Sequence, residues 1–435
     1  MTAEMVQGLS ELLDQITGFI YPNEIEIHWS ILIVVYPYIT GLVAGAFILA
    51  SLVKVFNVKE VQPTYRLALL TALAFLLVAP FPLLLHLGRP ERFYEILLTP
   101  NVTSAMAMFG FVYAWYLMGV LLLEVWFEYR RDLIVMATRE RPPMSWVHRA
   151  LSLFSTDTSE AAVAFDKRAV RAITIIGIPS AFLLHGYVGF IFGSVKANPW
   201  WGSVLMPIVF LMSAIVSGIA LVIFLYMVLT AMRRETIDMR CLDTITSYLF
   251  YAVIVDFSLE ALDFIHRLYQ SEESVKILGK LITHKLFMSL FVLQILLGMF
   301  IPLGILVLAK SRKFNDDLRK LLYFTAVILI QLGIFSTRWN VVIGGQLFSK
   351  SFRGLMAYKM EVMGIEGLLT ALLLLALPFV ILAVLIRVLP TKRLEESVPA
   401  EGEPVAPASA ADPATLGMLR GAVDDAARLG GPRPW

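Results

Sequence analysis

Long stretches of this chain carry no charged side chain, and this feature restricts the fold more than any other. Charge-free runs cover Trp29–Val53, Ala172–Val195 and Ala197–Met232. A helix needs roughly 20 predominantly apolar residues to cross the hydrocarbon core of a bilayer. Of the 435 residues, 16% are charged, whereas about 25% are charged in an ordinary soluble domain. We therefore predict an all-α, polytopic membrane protein without a soluble catalytic domain.

The apolar runs predict about nine transmembrane helices, arranged as two four-helix bundles and one extra helix. The predicted helices cover 28–53, 65–87, 104–128, 168–195, 201–232, 242–268, 283–309, 319–345 and 361–388. The predicted regions are an acidic outer segment at 1–27, bundles at 28–195 and 196–345, a ninth-helix region at 346–390 and a tail at 391–435. The tail is rich in Pro, Ala, Glu and Gly, and such a composition predicts disorder.

Two segments of the predicted helices resemble each other. Tyr38–Gly45 in the first helix and Ser213–Ala220 in the fifth have similar patterns of small residues. His86 and His266 follow these segments at similar distances, each at an outer helix end. The pattern is compatible with a repeated four-helix bundle and also with ordinary close packing of membrane helices.

Lysine and arginine are concentrated in alternate loops, which predicts the orientation of the chain. The third loop contains the largest basic group: Arg130, Arg131, Arg139, Arg141, Arg149, Lys167 and Arg168. The second and fourth loops contain only Arg89, Arg92 and Lys196. We therefore expect the odd-numbered loops and residues 391–435 in the cytoplasm, the N-terminus outside, and the protein in the cell (inner) membrane.

The cysteine and histidine content limits the redox centres that the chain can hold. The single cysteine, Cys241, cannot supply the thiolates of an iron–sulfur cluster. A di-haem cytochrome b needs facing histidines at two depths, whereas nearly all the histidines here fall at one depth. We therefore expect no haem and no iron–sulfur cluster in this chain, so that any metal cluster belongs to a partner.

Polar residues collect at the predicted outer side of the membrane. The histidines there are His28, His86, His266 and His284, and His185 lies deeper in the fourth helix. The other polar residues on this side are Arg89, Arg338, Asn340 and Gln346. Polar groups at membrane depth are costly and usually face the protein interior or a cavity. They predict a site near the outer surface, although interfacial His and Arg side chains also reach lipid headgroups without any site.

The sixth predicted helix carries a row of carboxylates. Asp256, Glu260 and Asp263 have the spacing i, i+4, i+7, and Arg267 follows one turn later. This spacing places them on one face of the helix, and their cost in lipid requires that face to contact protein or water. The row predicts a proton pathway between mid-membrane and the outer surface. The alternative is a structural ion-pair network with Arg338 or Arg267.

The segment that closes the eighth helix has the chemistry of a quinone site. Thr337–Gln346 combines arginine, asparagine and glutamine with two glycines. A quinone headgroup needs hydrogen-bond donors for two carbonyl oxygens and an apolar slot for its flat ring. Tyr36 and Tyr38 in the first helix offer further donors, although tyrosine is also common where helices meet the membrane surface.

Four stretches together resemble the NrfD/PsrC family, the membrane subunits of polysulfide-reductase-like complexes. They are Tyr36–Ala46, His86–Arg92 followed by Ser104–Gly110, His185–Trp201 leading to Ser213–Gly218, and Arg338–Gln346. The resemblance covers about 23–389, with one departure: the usual Ser-Pro-Met-Ser at the start of the third helix is Ser-Ala-Met-Ala from Ser104 onward.

This resemblance implies a quinone site near the outer face, occupied by menaquinone or ubiquinone. The residues expected to form it are His28, Tyr36, His86, Arg89, His185, Arg338, Asn340 and Gln346. It also implies a periplasmic-side, ferredoxin-type iron–sulfur partner, often with a molybdopterin or multihaem cytochrome subunit beyond it. We expect no nucleic-acid partner. The implied function is that of a membrane subunit of a multisubunit respiratory oxidoreductase that exchanges electrons with the partner. The protons of the quinol would leave to the outside or travel along Asp256, Glu260 and Asp263. If they cross the membrane, the subunit contributes to the proton gradient.

Two other classes of function are compatible with the sequence. A secondary transporter would also have repeats and buried carboxylates, but its helices should be interrupted at mid-membrane. A passive membrane anchor for a peripheral enzyme would not need the carboxylates of the sixth helix. The soluble subunits and the quinone that purify with the chain would distinguish these classes.

A reporter enzyme that is active only in the periplasm tests the orientation. Fused to the C-terminus, it should be inactive, because the distribution of basic residues places 391–435 in the cytoplasm. Periplasmic activity of this fusion, measured in intact cells, would overturn the topology and with it the argument for an outer site.

Overall fold

The protein, described here as a computed structural model, is helical throughout the part of the chain that can be described. That part comprises residues 3–16, 18–21, 27–270, 274–310, 314–392 and 394. Within it, the β structure is limited to one isolated antiparallel bridge between Phe348 and Leu355. Met1–Thr391 form one compact unit. The predicted all-α polytopic fold is confirmed, whereas the predicted tail beyond 391 lies almost entirely outside the described residues.

Eight helices of the described chain are long and apolar enough to cross a membrane. They are Ile31–Lys54, Lys59–His86, Ala107–Arg139, Glu160–Gly193, Met206–Met232, Phe287–Ala309, Asp316–Gln346 and Leu368–Val388. The sixth predicted helix also forms, over Met239–Gln270, and its 32 residues exceed the length that a crossing needs. It is less apolar than the other eight because it carries the row of carboxylates. We number these nine helices in chain order, from first to ninth.

Consecutive helices run in opposite directions, so the bundle has two ends. At one end, the backbone N–H of Trp29 donates to Gln346 Oε1 at 3.4 Å; we call this the His28 end. At the other, the Lys54 end, Lys54 Nζ lies 2.8 Å from Glu128 Oε2. The residues predicted to bind quinone or carry protons lie between the middle of the bundle and the His28 end.

A short amphipathic helix precedes the bundle. It covers Ala3–Gln15, within the region where the sequence predicts an acidic outer segment. Lys359 Nζ lies 3.4 Å from Glu11 Oε2, and Lys285 Nζ donates to Gln15 O at 3.4 Å. These two contacts attach the helix to the His28 end.

The first helix occupies the centre of the bundle. It packs against the second, fourth, fifth, eighth and ninth helices, and most of its side chains are buried. Gly45 faces Gly218 of the fifth helix so closely that a Cβ on either residue would meet the backbone of the other helix. Small residues allow membrane helices to approach in this way. The similar segments Tyr38–Gly45 and Ser213–Ala220 therefore pack against each other, across the boundary between the two predicted bundles.

Several helix boundaries differ from the prediction; the fourth helix, for example, begins at Glu160 instead of 168. Two other differences have identifiable reasons. The third helix continues to Arg139 instead of ending near 128, because its charged continuation is buried against partners. Arg130 lies 2.8 Å from Asp166, for example. The ninth helix begins at Leu368 instead of 361. Gly364 before it has a φ of +125°, a conformation that favours glycine and does not belong to a helix.

Two of the long helices contain π-helical segments. They cover Trp115–Leu121 in the third helix and Phe287–Phe300 in the seventh. Such segments occur frequently at functional sites. The seventh-helix segment contains Gln294, which hydrogen-bonds to both neighbouring helices, and Gly298, which lies against Gly333 of the eighth helix.

The glycine contact between the first and fifth helices can be tested by substitution. In Gly218→Ala the new Cβ meets the backbone at Gly45, and overpacking of this kind costs about 1–3 kcal/mol. We expect a lower free energy of unfolding, measured by SDS titration in mixed micelles. The matched control is Gly304→Ala, which adds the same methyl group to a helix where no other atom lies within 4 Å. Equal stability of the two variants would contradict the close contact.

Candidate functional site

Two of the eight residues predicted to bind a quinone, His28 and Gln346, line an open cavity at the His28 end. The cavity has a volume of about 1250 Å³. The loop between the fourth and fifth helices, Arg267 of the sixth helix and the chain after Gln346 complete its wall. Small-molecule pockets usually measure roughly 300–1,000 Å³, so this cavity is large enough for a ring-sized ligand or a segment of another protein.

Arg338 and His185 form the centre of a polar cluster that is fully buried below this cavity. Arg338 Nη2 donates to Ser213 Oγ at 2.6 Å, and it lies 3.4 Å from Phe210 O and 3.2 Å from His185 Nε2. The guanidinium carbon is 4.2 Å from the centre of the Phe210 ring. Arg338 Nε and Nη1 have no hydrogen-bond partner within the described part of the chain. The cluster joins the fourth, fifth and eighth helices.

The carboxylates Asp256 and Glu260 of the sixth helix extend the cluster. Both interact electrostatically with Arg338. Gln294 of the seventh helix donates to Glu260 Oε2 at 3.0 Å and accepts from Asn340 Nδ2 at 2.7 Å. One oxygen each of Asp256, Glu260 and Asn340 is buried without a partner among the described residues. Asn340, predicted to bind a quinone, is thus placed beside the proposed proton pathway.

Asp263, the third carboxylate of the row, forms an ion pair. Arg267 Nη2 lies 2.7 Å from Asp263 Oδ2, and Ser203 donates to the other carboxylate oxygen. Arg267 Nη1 also donates to Pro199 O at 2.7 Å and Trp200 O at 2.5 Å. Ser203 and Arg267 both line the cavity, so the row of carboxylates runs from the cavity wall to the middle of the bundle.

Two tryptophans separate the cavity from the buried cluster. The indole of Trp200 donates to Asn340 O at 2.8 Å, and that of Trp201 donates to Val341 O at 2.6 Å. Backbone carbonyl groups in the last turn of a helix have no hydrogen-bond partner within that helix. The two indoles supply donors to two such carbonyl groups of the eighth helix. Trp29, just before the first helix, stacks on Trp201, with ring centres 5.2 Å apart. Sequence reasoning found this tryptophan pair only as part of the family resemblance and assigned it no role.

The segment between the eighth and ninth helices also contacts the start of the first helix. Tyr358 accepts a hydrogen bond from the backbone N–H of Ile31 at 3.1 Å. Burial raises the pKa of the Tyr358 phenol above its ordinary value, so this side chain stays protonated at neutral pH. The contact satisfies one of the free N–H groups at the start of the first helix.

The remaining three predicted residues are distributed around the second helix and the neighbouring part of the first. Tyr36 is buried, its ring contacts Phe109 edge-on at 5.6 Å, and its hydroxyl has no partner among the described residues. His86 Nδ1 lies 2.8 Å from Glu366 Oε2, before the ninth helix. Arg89 is exposed. The structure therefore does not gather all eight predicted residues at one point.

Sequence reasoning missed a second buried polar cluster, at the Lys54 end. Arg66 lies 3.1 Å from Glu128 and 2.6 Å from Asp132. Glu124 is fully buried and accepts hydrogen bonds from Tyr65 and Thr174. Nothing in local hydropathy shows that the partners of these side chains come from other helices. Glu124 lies inside the predicted third helix, 104–128, and a carboxylate within a predicted membrane helix is the signal that could have identified the cluster.

The arrangement of the described His, Cys, Asp and Glu side chains bears on metal binding. Among the described residues there is no group of three or more His, Cys, Asp or Glu side chains placed to hold one. The site therefore consists of hydrogen-bonding groups, carboxylates, one buried guanidinium and aromatic rings.

Comparison with known proteins gives the family. Residues 22–350 match the family described as "Polysulphide reductase, NrfD". A selenate reductase subunit of Mesobacillus selenatarsenatis is 30% identical over 321 residues, 72% of this chain and 73% of that protein. The Hdr-like menaquinol oxidoreductase integral membrane subunit of Archaeoglobus fulgidus is 25% identical over 342 residues, 77% and 75% of the two chains. Protein NrfD of Escherichia coli is 27% identical over 195 residues, 44% and 57%. The resemblance seen in the sequence is confirmed: the chain belongs to the NrfD family of polysulphide-reductase-type membrane proteins.

Proposed function

We propose that this protein is the membrane subunit of a multisubunit respiratory oxidoreductase and that it binds menaquinone or ubiquinone near the outer membrane face. Family membership supports the assignment as a membrane subunit of an oxidoreductase. Two relatives carry the names of a selenate reductase subunit and a menaquinol oxidoreductase subunit. With its single cysteine, the chain would exchange electrons with an iron–sulfur cluster held by a ferredoxin-type partner. A molybdopterin or multihaem cytochrome subunit would complete the complex.

Two buried atoms without partners carry the proposal of a quinone site. Tyr36 Oη and His185 Nδ1 have no hydrogen-bond partner among the described residues, although buried polar groups are normally paired. They belong to the first and fourth helices, which pack against each other. Phe109, which contacts Tyr36, also stacks on Tyr187 with ring centres 6.2 Å apart. Donors for carbonyl oxygens beside flat aromatic surfaces fit a quinone headgroup.

A bound quinone supplies redox chemistry in which two electrons are accompanied by two protons. The chain's own residues would orient the headgroup and hold protons. In this proposal Tyr36 and His185 donate hydrogen bonds to it, and His28 and Gln346 act at the cavity above. Asp256 and Glu260 hold protons in the interior. Asp263 forms the outer end of the pathway, because its ion-pair partner Arg267 lines the cavity.

The orientation of the site follows from the loop charges. We propose that the His28 end faces outside, that the protein lies in the cell (inner) membrane, and that the partner docks over the cavity at this end. The basic loops predicted to be cytoplasmic belong to the Lys54 end, which is consistent with this orientation. His86 and Arg89 would then act at the entrance from the lipid, beside Glu366.

The tyrosine hydroxyl in the first helix gives the sharpest test. Tyr36→Phe removes no internal hydrogen bond, because the Tyr36 hydroxyl has no hydrogen-bond partner among the described residues. We expect unchanged stability and a KM for quinol that rises roughly two- to tenfold, as expected for the loss of one ligand hydrogen bond. The measurement is quinol-linked turnover of the assembled complex.

Tyr116→Phe is the matched control for this variant. Tyr116 is also fully buried, its hydroxyl also lacks a partner among the described residues, and it lies against Phe47, deeper in the bundle. The same exchange there should leave the KM for quinol unchanged. Equal KM values for Tyr36→Phe, Tyr116→Phe and the parent protein would place the headgroup elsewhere, with the cavity at His28 and Gln346 as the next site to test.

The proton pathway is tested at the carboxylate in the middle of the sixth helix. Asp256→Asn keeps the volume of the side chain but cannot exchange a proton at this position. We expect the complex to assemble and its quinone-linked turnover, or the number of protons moved per electron pair, to fall. Proton movement is measured with a pH-sensitive dye in vesicles that contain the complex.

Asp243→Asn provides the control on the same helix. Asp243 forms an ion pair with Arg319 at the Lys54 end, away from the row of carboxylates. This variant should keep the parent proton stoichiometry. If Asp256→Asn also keeps the parent proton stoichiometry and full turnover, the row of carboxylates on the sixth helix is a structural network and not a proton pathway.

A further inference from the structure

Hydrogen-bond chemistry fixes which nitrogen of His185 carries the proton. Arg338 Nη2 lies 3.2 Å from His185 Nε2. A guanidinium has N–H donors and no acceptor, whereas a neutral imidazole has one donor nitrogen and one acceptor nitrogen. The contact is therefore a hydrogen bond only if Nε2 is the unprotonated, accepting nitrogen. It follows that His185 is neutral and carries its proton on Nδ1.

The surroundings hold both side chains in this arrangement. Arg338 is oriented by its bond to Ser213 Oγ at 2.6 Å and by the Phe210 ring beneath it. The His185 ring stacks on the same Phe210 ring at 5.8 Å. A Cβ on Gly41 of the first helix would lie in close contact with His185 Cε1 and Nε2, so the backbone approaches the imidazole edge there. Neither side chain is exposed, which leaves little room for the ring to turn over.

Two carboxyl groups of the sixth helix act on Arg338. Asp256, Glu260 and Tyr38 interact electrostatically with the Arg338 guanidinium. The ionisable group that acts on His185 is Arg338 itself. An arginine inside a membrane protein is costly unless it meets carboxylates or carbonyl groups. The sixth helix therefore places two carboxyl groups near the guanidinium, which donates to His185 Nε2.

We propose that Arg338 is a positioning residue that holds His185 in the neutral, Nδ1-protonated tautomer. The imidazole then presents a buried Nδ1–H donor, with no acceptor among the described residues, to a neutral carbonyl ligand in the first bundle. In this role Arg338 acts through His185. The identity of the ligand as a quinone rests on the function proposed above, whereas the tautomer does not.

The tautomer can be measured in the parent protein. The full chain is labelled with ¹⁵N-histidine and studied in lipid bilayers by solid-state NMR, and the His185 signals are those missing from His185→Gln among the 6 histidines. We expect an unprotonated Nε2 and a protonated Nδ1. A protonated Nε2, alone or together with a protonated Nδ1, would overturn the proposal without any variant of Arg338.

Substitution of Arg338 tests its role directly. Arg338→Met removes the donor to Nε2, so the single tautomer should be replaced by a mixture. Gln331→Met is the matched control on the same helix: Gln331 bonds to Tyr38 and to Ser217 O, and this change should leave the His185 spectrum as in the parent. Persistence of one Nδ1-protonated form in Arg338→Met would refute the positioning role.

Addition of a short-chain quinone separates the two proposals. If the quinone accepts from His185, the ¹⁵Nδ1 signal shifts on titration in the parent protein, and the KM for quinol rises roughly two- to tenfold in Arg338→Met. If the predicted tautomer is found but the quinone changes neither the signal nor the KM, the positioning role stands and the quinone site at His185 is wrong.

Discussion

A single guanidinium inside a membrane-embedded bundle is the constraint on which the rest of the site depends. Arg338 is fully buried, so its charge lies away from bulk solvent. Its hydrogen-bond acceptors, the aromatic ring beneath it and the carboxyl groups that act on it come from the fourth, fifth and sixth helices. Because such a charge is costly when it is unpaired, these helices must keep the depth and rotation that bring their polar groups to it.

Backbone packing makes this arrangement possible. The first and fifth helices approach each other at Gly45 and Gly218 without intervening side chains. The same approach brings Gly41 against the imidazole of His185. Small residues on the first helix therefore allow close contact both with the fifth helix and with the fourth-helix histidine.

Buried polar groups occur toward both ends of the bundle. At the Lys54 end, Arg66 forms ion pairs with both Glu128 and Asp132. Buried atoms without partners among the described residues include Glu124 Oε2 at this end, and Tyr36 Oη and His185 Nδ1 toward the His28 end. Paired charges stabilise a fixed structure, whereas unpaired buried groups are expected where a ligand or a proton completes the site.

The sequence by itself determined the fold class, the approximate positions of nine helices, the family and the row of carboxylates on the sixth helix. These are local properties, because hydropathy and helical spacing can be read from neighbouring residues. Only the tertiary structure decided which polar groups meet: Arg338 with His185, Asp263 with Arg267 and Ser203, and His86 with Glu366. Pairing of this kind depends on the depth and rotation of each helix, which are set by packing against distant parts of the chain. For the same reason, eight residues that the sequence predicts at one site occupy separate places in the bundle.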